Sequence, residues 1–461
     1  MINLFLYVLV ISFIGLPLVV LLFNKKNYVS LISLSFPIGS VIITLYCWFL
    51  SVLKIEYSFN RIFIPLIIIS SFLTIYLIIN KLIRKSSEPI GHKIEDPKNW
   101  KYWCAVIGVC GVVLVKYLTI LLHSISTKVY QPDEYSQWAF QAKLIFLGNG
   151  LESFYGGQGF ETGFETYPSF IPLLAASFYS FCGEILDSFV RVIGPVFLFC
   201  LVVFIYSEMK QYLKNIIINW VVIGIFLTSG FVVFEMSSGL YADIEYTFFY
   251  TVSAVFLIKY LMNNDKKKEM MLSALFITLA AWVKVDGQYL ALIHIGIICS
   301  SFLYNGVLLK RLKELMFFSI ISLTIPFLWG LYTAVRDFPD SRWSINPVIE
   351  YSFPMLSASI QQIMNTTNWG LFWIVVFSMI ILNLYIGINK QQFYLLALMI
   401  ANVLFLYFSY IVMFGEEAKT AASFARYILR IAPISMLYVS TIINTATKEI
   451  SNENIGGNSC V

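Results

Sequence analysis

Of 461 residues, 59% are hydrophobic and only 12% are charged, where soluble domains carry about 25% charged residues. A helix needs roughly 20 apolar residues to cross a bilayer, so the chain holds material for about thirteen crossings and little else. A soluble enzyme, a disordered chain and a disulfide scaffold are excluded, and the net charge of +5 is no nucleic-acid footprint, because Lys and Arg fall in short clusters between apolar runs.

Taken in chain order, the apolar runs predict spans at 3–23, 28–50, 62–80, 101–122, 188–208, 216–234, 243–262, 270–285, 288–305, 315–335, 369–388, 391–413 and 427–446. No basic segment precedes the first run, and Asn24, Lys25 and Lys26 follow it, which predicts a retained first span entering from outside. With that end cytoplasmic and the chain alternating, the cytoplasmic segments hold 19 of the 31 Lys and Arg. Basic excess on one side is the positive-inside pattern. The expectation is an all-α, polytopic protein of the cell membrane with thirteen transmembrane helices, N-terminus outside and C-terminus inside. Residues 1–100 supply three N-terminal helices and a cytoplasmic loop, 101–446 the main transmembrane domain, and 447–461 a cytoplasmic tail.

The run from Pro168 to Cys182 is also apolar. Counting it as a span would place Lys266, Lys267, Lys268, Lys310, Arg311 and Lys313 outside. At about 15 residues it is short for a crossing. It is expected instead in the outer loop 123–187, as a helix lying on or dipping into the membrane. A second outer loop, 336–368, holds Asp337, Asp340, Arg342 and Trp343, then the apolar run 351–364, expected as another interfacial helix.

Cysteine and histidine carry no site. Cys47, Cys104, Cys110, Cys182, Cys200, Cys299 and Cys460 lie mostly inside apolar runs without metal-type spacing. His92, His123 and His294 are scattered.

The acids are more informative. Pro132 turns the chain away from helix. Asp133 and Glu134 then stand at the start of a predicted amphipathic helix that contains Trp138 and Lys143 and stops at Gly148-Asn149-Gly150. An isolated acid there reads as a cap. Here further acids recur at span ends: Asp243 with Glu245, and Asp286 beside Lys284. Charges at the rim of an apolar bundle mark sites unless they are paired or merely anchor the interface. Anchoring accounts for Glu152, Glu184, Glu350 and Lys128, and snorkelling to the headgroups for Arg430.

The order of these motifs resembles GT-C glycosyltransferases. The features are Asp133-Glu134 after a span, a helix through Trp138 to Lys143, Tyr167-Pro168 opening a second helix, and Arg191 and Pro195 early in the next span. Gly239 to Asp243, Ala280 to Gly287, and Ser423 to Tyr427 followed by Pro433 extend it. The chain is similar to bacterial relatives of protein O-mannosyltransferases and of the lipid A aminoarabinose transferase over about residues 100 to 435. Spans one to three precede the usual start of that fold, and Asp286 stands where Glu is expected.

The resemblance implies a GT-C-like bundle with juxtamembrane helices in its first large outer loop. It implies transfer of a sugar from a polyprenyl-phosphate carrier to an acceptor outside the cytoplasm: a glycolipid, a polysaccharide or a protein. In that reading Asp133 is the base and Glu134 and Asp243 complete the catalytic set. Asp133 and Glu134 diverge by about 100° at the helix start, so that one faces the cavity while the other caps or binds metal. Lys284, Asp286, Arg426 and Tyr167 bind substrate. Lys284 or Arg426 meets the carrier phosphate, and Asp243 holds a divalent ion, Mg2+ or Mn2+, or orients the acceptor. The competing readings are an O-antigen polymerase or ligase, which tends to place Arg and His in its outer loops, and a transporter, which favours paired repeats.

Overall fold

A computed structural model describes residues 2–23, 28–83, 100–151, 166–263, 266–336, 349–413 and 415–456. The described residues are helical, without a strand among them. The helices are α1 (Ile2–Leu22), α2 (Tyr28–Val52), α3 (Phe59–Ile83), α4 (Trp100–Ser126), α5 (Ala139–Leu147), α6 (Phe170–Cys182), α7 (Ile193–Tyr212), α8 (Ile216–Leu227) and α9 (Gly230–Ser238). They continue as α10 (Asp243–Met262), α11 (Lys267–Val283), α12 (Asp286–Tyr304), α13 (Leu312–Val335), α14 (Ser352–Met364), α15 (Phe372–Ile386), α16 (Lys390–Met413) and α17 (Ala432–Gly456). Lys25, Lys26, Glu152 and the stretch with Asp337, Asp340, Arg342 and Trp343 lie outside the described residues.

Among the described residues, ten helices are long and apolar enough to cross a membrane, which makes this a multi-pass membrane protein. The expected thirteen crossings resolve differently at four places. The run 216–234 is two helices, α8 and α9, bent by 80° at a short break. Helices α11 and α15 have 17 and 15 residues, about 25 and 22 Å at 1.5 Å per residue, below a core of about 30 Å. The last helix continues to Gly456, well past the predicted span end at 446.

The bundle is sorted by environment. Helix α10 is the centre, with nearly all of its residues buried and its polar end at Asp243. A helix apolar on every side belongs inside. Helices α3, α4 and α13 sit at the periphery and leave Ile68, Phe72, Ile107, Val115, Ile320 and Phe327 exposed, as lipid-facing helices do.

Helix α6 is enclosed by the rest of the protein. It does not lie on the surface, because every residue from Phe170 to Ser180 is buried. The N-terminal helices cover it. Tyr7 of α1 donates its hydroxyl hydrogen bond to the Leu174 carbonyl at 2.9 Å, and its oxygen lies 2.8 Å from Ser177 Oγ. The cover is close-packed: a Cβ on Gly15 would meet the Ser35 carbonyl at 2.0 Å, and one on Gly39 the Ile11 carbonyl at 2.0 Å. Only glycine lets the α1 and α2 backbones approach so closely. Helix α2 also joins the bundle through Trp48, stacked on Trp282 at 5.2 Å, while Trp282 Nε1 donates to Thr44 Oγ1 at 3.0 Å.

Helix α14 matches the interfacial expectation in its pattern. Phe353, Leu356, Ile360 and Met364 are exposed, and Met355, Ala358 and Ser359 are buried. The exposed set repeats at helical spacing.

Candidate active site

Four charged residues from four separate segments meet at the Asp243 end of α10. Asp243 is the first residue of that helix, and the helix dipole favours a carboxylate there. Lys284 follows α11 in extended backbone (φ −147°, ψ 137°), which ends the helix. Its Nζ donates to Asp243 Oδ1 at 3.0 Å and lies 4.3 Å from the Tyr427 ring centroid. Arg426 comes from the short turn Phe424–Tyr427. Its Nε donates to Asp243 Oδ2 at 2.8 Å, and its guanidinium sits over the Tyr241 ring at 4.7 Å. Arg426 Nη1 donates to Asp133 Oδ2. Two acids and two bases thus form one neutral chain: Asp133, Arg426, Asp243, Lys284.

Exposure divides that chain. The side chains of Lys284 and Asp243 are 3% and 4% exposed, Arg426 21% and Asp133 40%. Asp133 and Arg426 are therefore the accessible members of the chain. Lys284, expected to reach a phosphate, is closed off behind Asp243. Its role in the geometry is to balance Asp243, so Arg426 is the cation left to face a ligand.

Asp133 does not cap. It occupies the N-cap position of the π-helical turn Glu134–Trp138 without a side-chain cap bond. The expected helix from Asp133 to Leu147 is this turn followed by α5, with Gly148 as C-cap and Asn149 at φ 59°. Wide π turns concentrate at functional sites.

Glu134, expected in the catalytic set with Asp133, points the other way and is fully buried. Adjacent residues on a helical turn diverge by about 100°. Glu134 Oε1 accepts from Arg191 Nε at 2.9 Å and from the Leu240 backbone N–H. Oε2 accepts from the Gln131 and Tyr130 N–H groups at 3.1 and 3.3 Å. Arg191, also buried, donates to the Thr127 and Lys128 carbonyls at 3.1 and 3.3 Å. A Cβ at Gly239 would come within 2.8 Å of Glu134 Oε1, so glycine makes room for the carboxylate. Every lone-pair direction of Glu134 is engaged, and its work is to fix the backbone that presents Asp133.

The remaining expected site residues are nearby. Asp286 opens α12 with its side chain 22% exposed, and Arg430 Nη1 lies 3.7 Å from its Oδ2. Arg430 is not snorkelling: it is 1% exposed, with Nη1 3.3 Å from the Tyr246 hydroxyl. Tyr167 stands with its ring 6.0 Å from that of Trp138. Withdrawal from water, then the Asp286 carboxylate, raises its hydroxyl well above the usual phenol range. It therefore stays a hydrogen-bond donor. Burial likewise raises the Tyr241 hydroxyl. Glu245, two residues on from Asp243, is fully buried with both oxygens unpartnered.

The donor set does not fit a resident divalent ion at Asp243. Both its oxygens face cations at about van der Waals contact, and a further positive charge there meets Lys284 and Arg426 head-on. Among the described residues no three His, Cys, Asp or Glu side chains converge as metal ligands.

Sequence reasoning did not find the Arg191–Glu134 clamp, the Tyr241 platform under Arg426 or the burial of Arg430. Each depends on long-range contacts; the one local signal was two aromatics, Tyr241 and Tyr427, flanking Asp243 and Arg426. The chain matches no family model, no curated protein and no solved structure.

Proposed function

We propose that this protein is a membrane glycosyltransferase that moves a sugar from a polyprenyl-phosphate carrier to a hydroxyl acceptor on the non-cytoplasmic face. The observation that carries the reading is the pairing of a half-exposed carboxylate, Asp133, with a largely buried but still accessible guanidinium, Arg426, at a span end. Transfer from a lipid phosphate needs both groups. A base must take the acceptor proton, and a cation must hold the charge that gathers on the departing phosphate.

The residues divide the work. Asp133 accepts the proton from the acceptor hydroxyl. Arg426, with a planar fork suited to phosphate, binds the leaving group. Asp243 and Tyr241 hold the guanidinium from behind, and Lys284 balances Asp243. Glu134 and Arg191 fix the turn that carries Asp133. Tyr167 and Asp286 line the approach and hydrogen-bond sugar or acceptor hydroxyls. Negative charge at Asp133 also favours the oxocarbenium-like anomeric carbon. A carrier tethered in the bilayer accounts for a polar site at the end of the spans and not in a soluble domain. The acceptor is a cell-envelope glycolipid, polysaccharide or protein.

The test is purified protein in liposomes with radiolabelled polyprenyl-phosphate sugars and an envelope extract as acceptor. Label passing from the carrier to an acceptor, dependent on the protein, supports the reading. Uptake of solute without transfer would support a transporter.

A further inference from the structure

Arg426 cannot serve Asp133 and a phosphate equally. In the structure its Nη1 is given to Asp133, and the same guanidinium is held by Asp243 on Nε and by the Tyr241 ring beneath. The two ends of this arrangement differ in freedom. Arg426 has two neighbours, Asp243 and Tyr241, that keep it in place once Asp133 departs. Asp133 makes no cap bond, heads a π-helical turn and is the most exposed member of the chain of charges. Its backbone is pinned by Glu134 one residue on, through the Tyr130, Gln131 and Leu240 N–H groups. Its side chain alone is left to turn.

We propose that the Asp133–Arg426 ion pair is a latch on the base, opened by the anionic headgroup of the donor. This rests on the glycosyltransferase reading. The carrier phosphate takes the face of Arg426 that Asp133 covers, and Asp133 rotates off the guanidinium toward the acceptor hydroxyl. The Asp133 oxygen that faces Arg426 is occupied by the guanidinium and turned away from an acceptor; released, the side chain can reach the acceptor hydroxyl. The base is thus armed only when donor is present.

The step balances. The acceptor oxygen forms a bond to the anomeric carbon, and the bond from that carbon to the phosphate oxygen breaks with its electron pair. The acceptor proton passes to Asp133. The carrier changes from a phosphodiester with one negative charge to a monoester with two, while Asp133 loses its charge. Arg426 holds the added charge. Asp133 then gives its proton to water and returns to Arg426, which helps expel the spent carrier and resets the latch.

The latch makes an unusual prediction: removing the base tightens donor binding. A partly exposed ion pair is worth about 0.2–1 kcal/mol, so its loss corresponds to about a 1.4- to 5-fold change in affinity. The experiment measures Kd for radiolabelled polyprenyl-phosphate sugar, without acceptor, on protein in nanodiscs. Asp133→Asn and Asp133→Ala are compared with wild type and with Asp133→Glu, which still reaches Arg426. The expected result is tighter donor binding for Asn and Ala, by up to about fivefold, with Glu near wild type and all variants still unfolding cooperatively. Polyprenyl phosphate, the spent carrier, should tighten in parallel. Equal or weaker donor binding by Asp133→Asn and Asp133→Ala, with transfer by wild type intact, overturns the latch and leaves the glycosyltransferase reading standing. A wild-type protein that binds no polyprenyl-phosphate sugar overturns both.

Discussion

Asp133 and Arg426, 293 residues apart in the chain, are joined by a direct ion pair at the end of the central helix. That one contact brings together the segment after α4 and the turn before the last helix. It sets a carboxylate and a guanidinium side by side at the Asp243 end of α10.

The Glu134–Arg191 pair should matter to stability more than to chemistry. Both side chains are 0% exposed. Breaking a buried pair by removing one partner typically costs about 3–5 kcal/mol, because the other charge is left uncompensated. Glu134→Gln and Arg191→Met should each lower the unfolding temperature in detergent. The double variant should lose less than the two singles added together. Additive losses would mean that the two residues do not act as a pair.

The cover over α6 predicts a packing phenotype far from the charges. Gly39→Ala or Gly15→Ala puts a methyl group onto a carbonyl oxygen at the α1–α2 crossing. Overpacking of this kind costs about 1–3 kcal/mol, so both variants should unfold at lower temperature. Limited proteolysis or exchange should find α6 opened first. Unchanged stability would show that the two helices can slide apart freely.

Orientation is testable by labelling. With outer loops assigned by the Lys and Arg distribution, a single cysteine at Gly150 in a background without reactive native thiols should react with an impermeant reagent in intact cells. One at Lys267, whose side chain is 71% exposed, should react only after permeabilisation. Labelling at Lys267 in intact cells would invert the topology and move Asp133 to the cytoplasmic face.

Much of this architecture was legible in the chain. Apolar runs located the helices, because the energetics of crossing a bilayer act on windows of about twenty residues. Pro132 and Gly148 bounded the first loop helix, since backbone constraints are local. The broken run 216–238 was not legible. Thr228 and Ser229 are ordinary polar residues, and the 80° bend is set by α9 packing across its neighbours. The burial of α6 was equally hidden, because what covers it is supplied by Tyr7 and by glycines 150 residues upstream. At the site, Asp133, Asp243, Lys284 and Arg426 were identifiable by type and by their place at span ends. Their division was not: that Glu134 points inward, that Lys284 stands behind Asp243, and that Arg430 is buried are facts of tertiary contact.

The central claim is that Asp133 takes the acceptor proton while Glu134 only supports it. The most direct measurement is the single-turnover rate of sugar transfer from a polyprenyl-phosphate donor by Asp133→Asn, at saturating donor and at membrane levels matched to wild type. Loss of a positioned general base lowers the rate by about 10²–10⁴, so the account predicts a fall of that size with donor still bound. A variant that transfers sugar at the wild-type rate would contradict it.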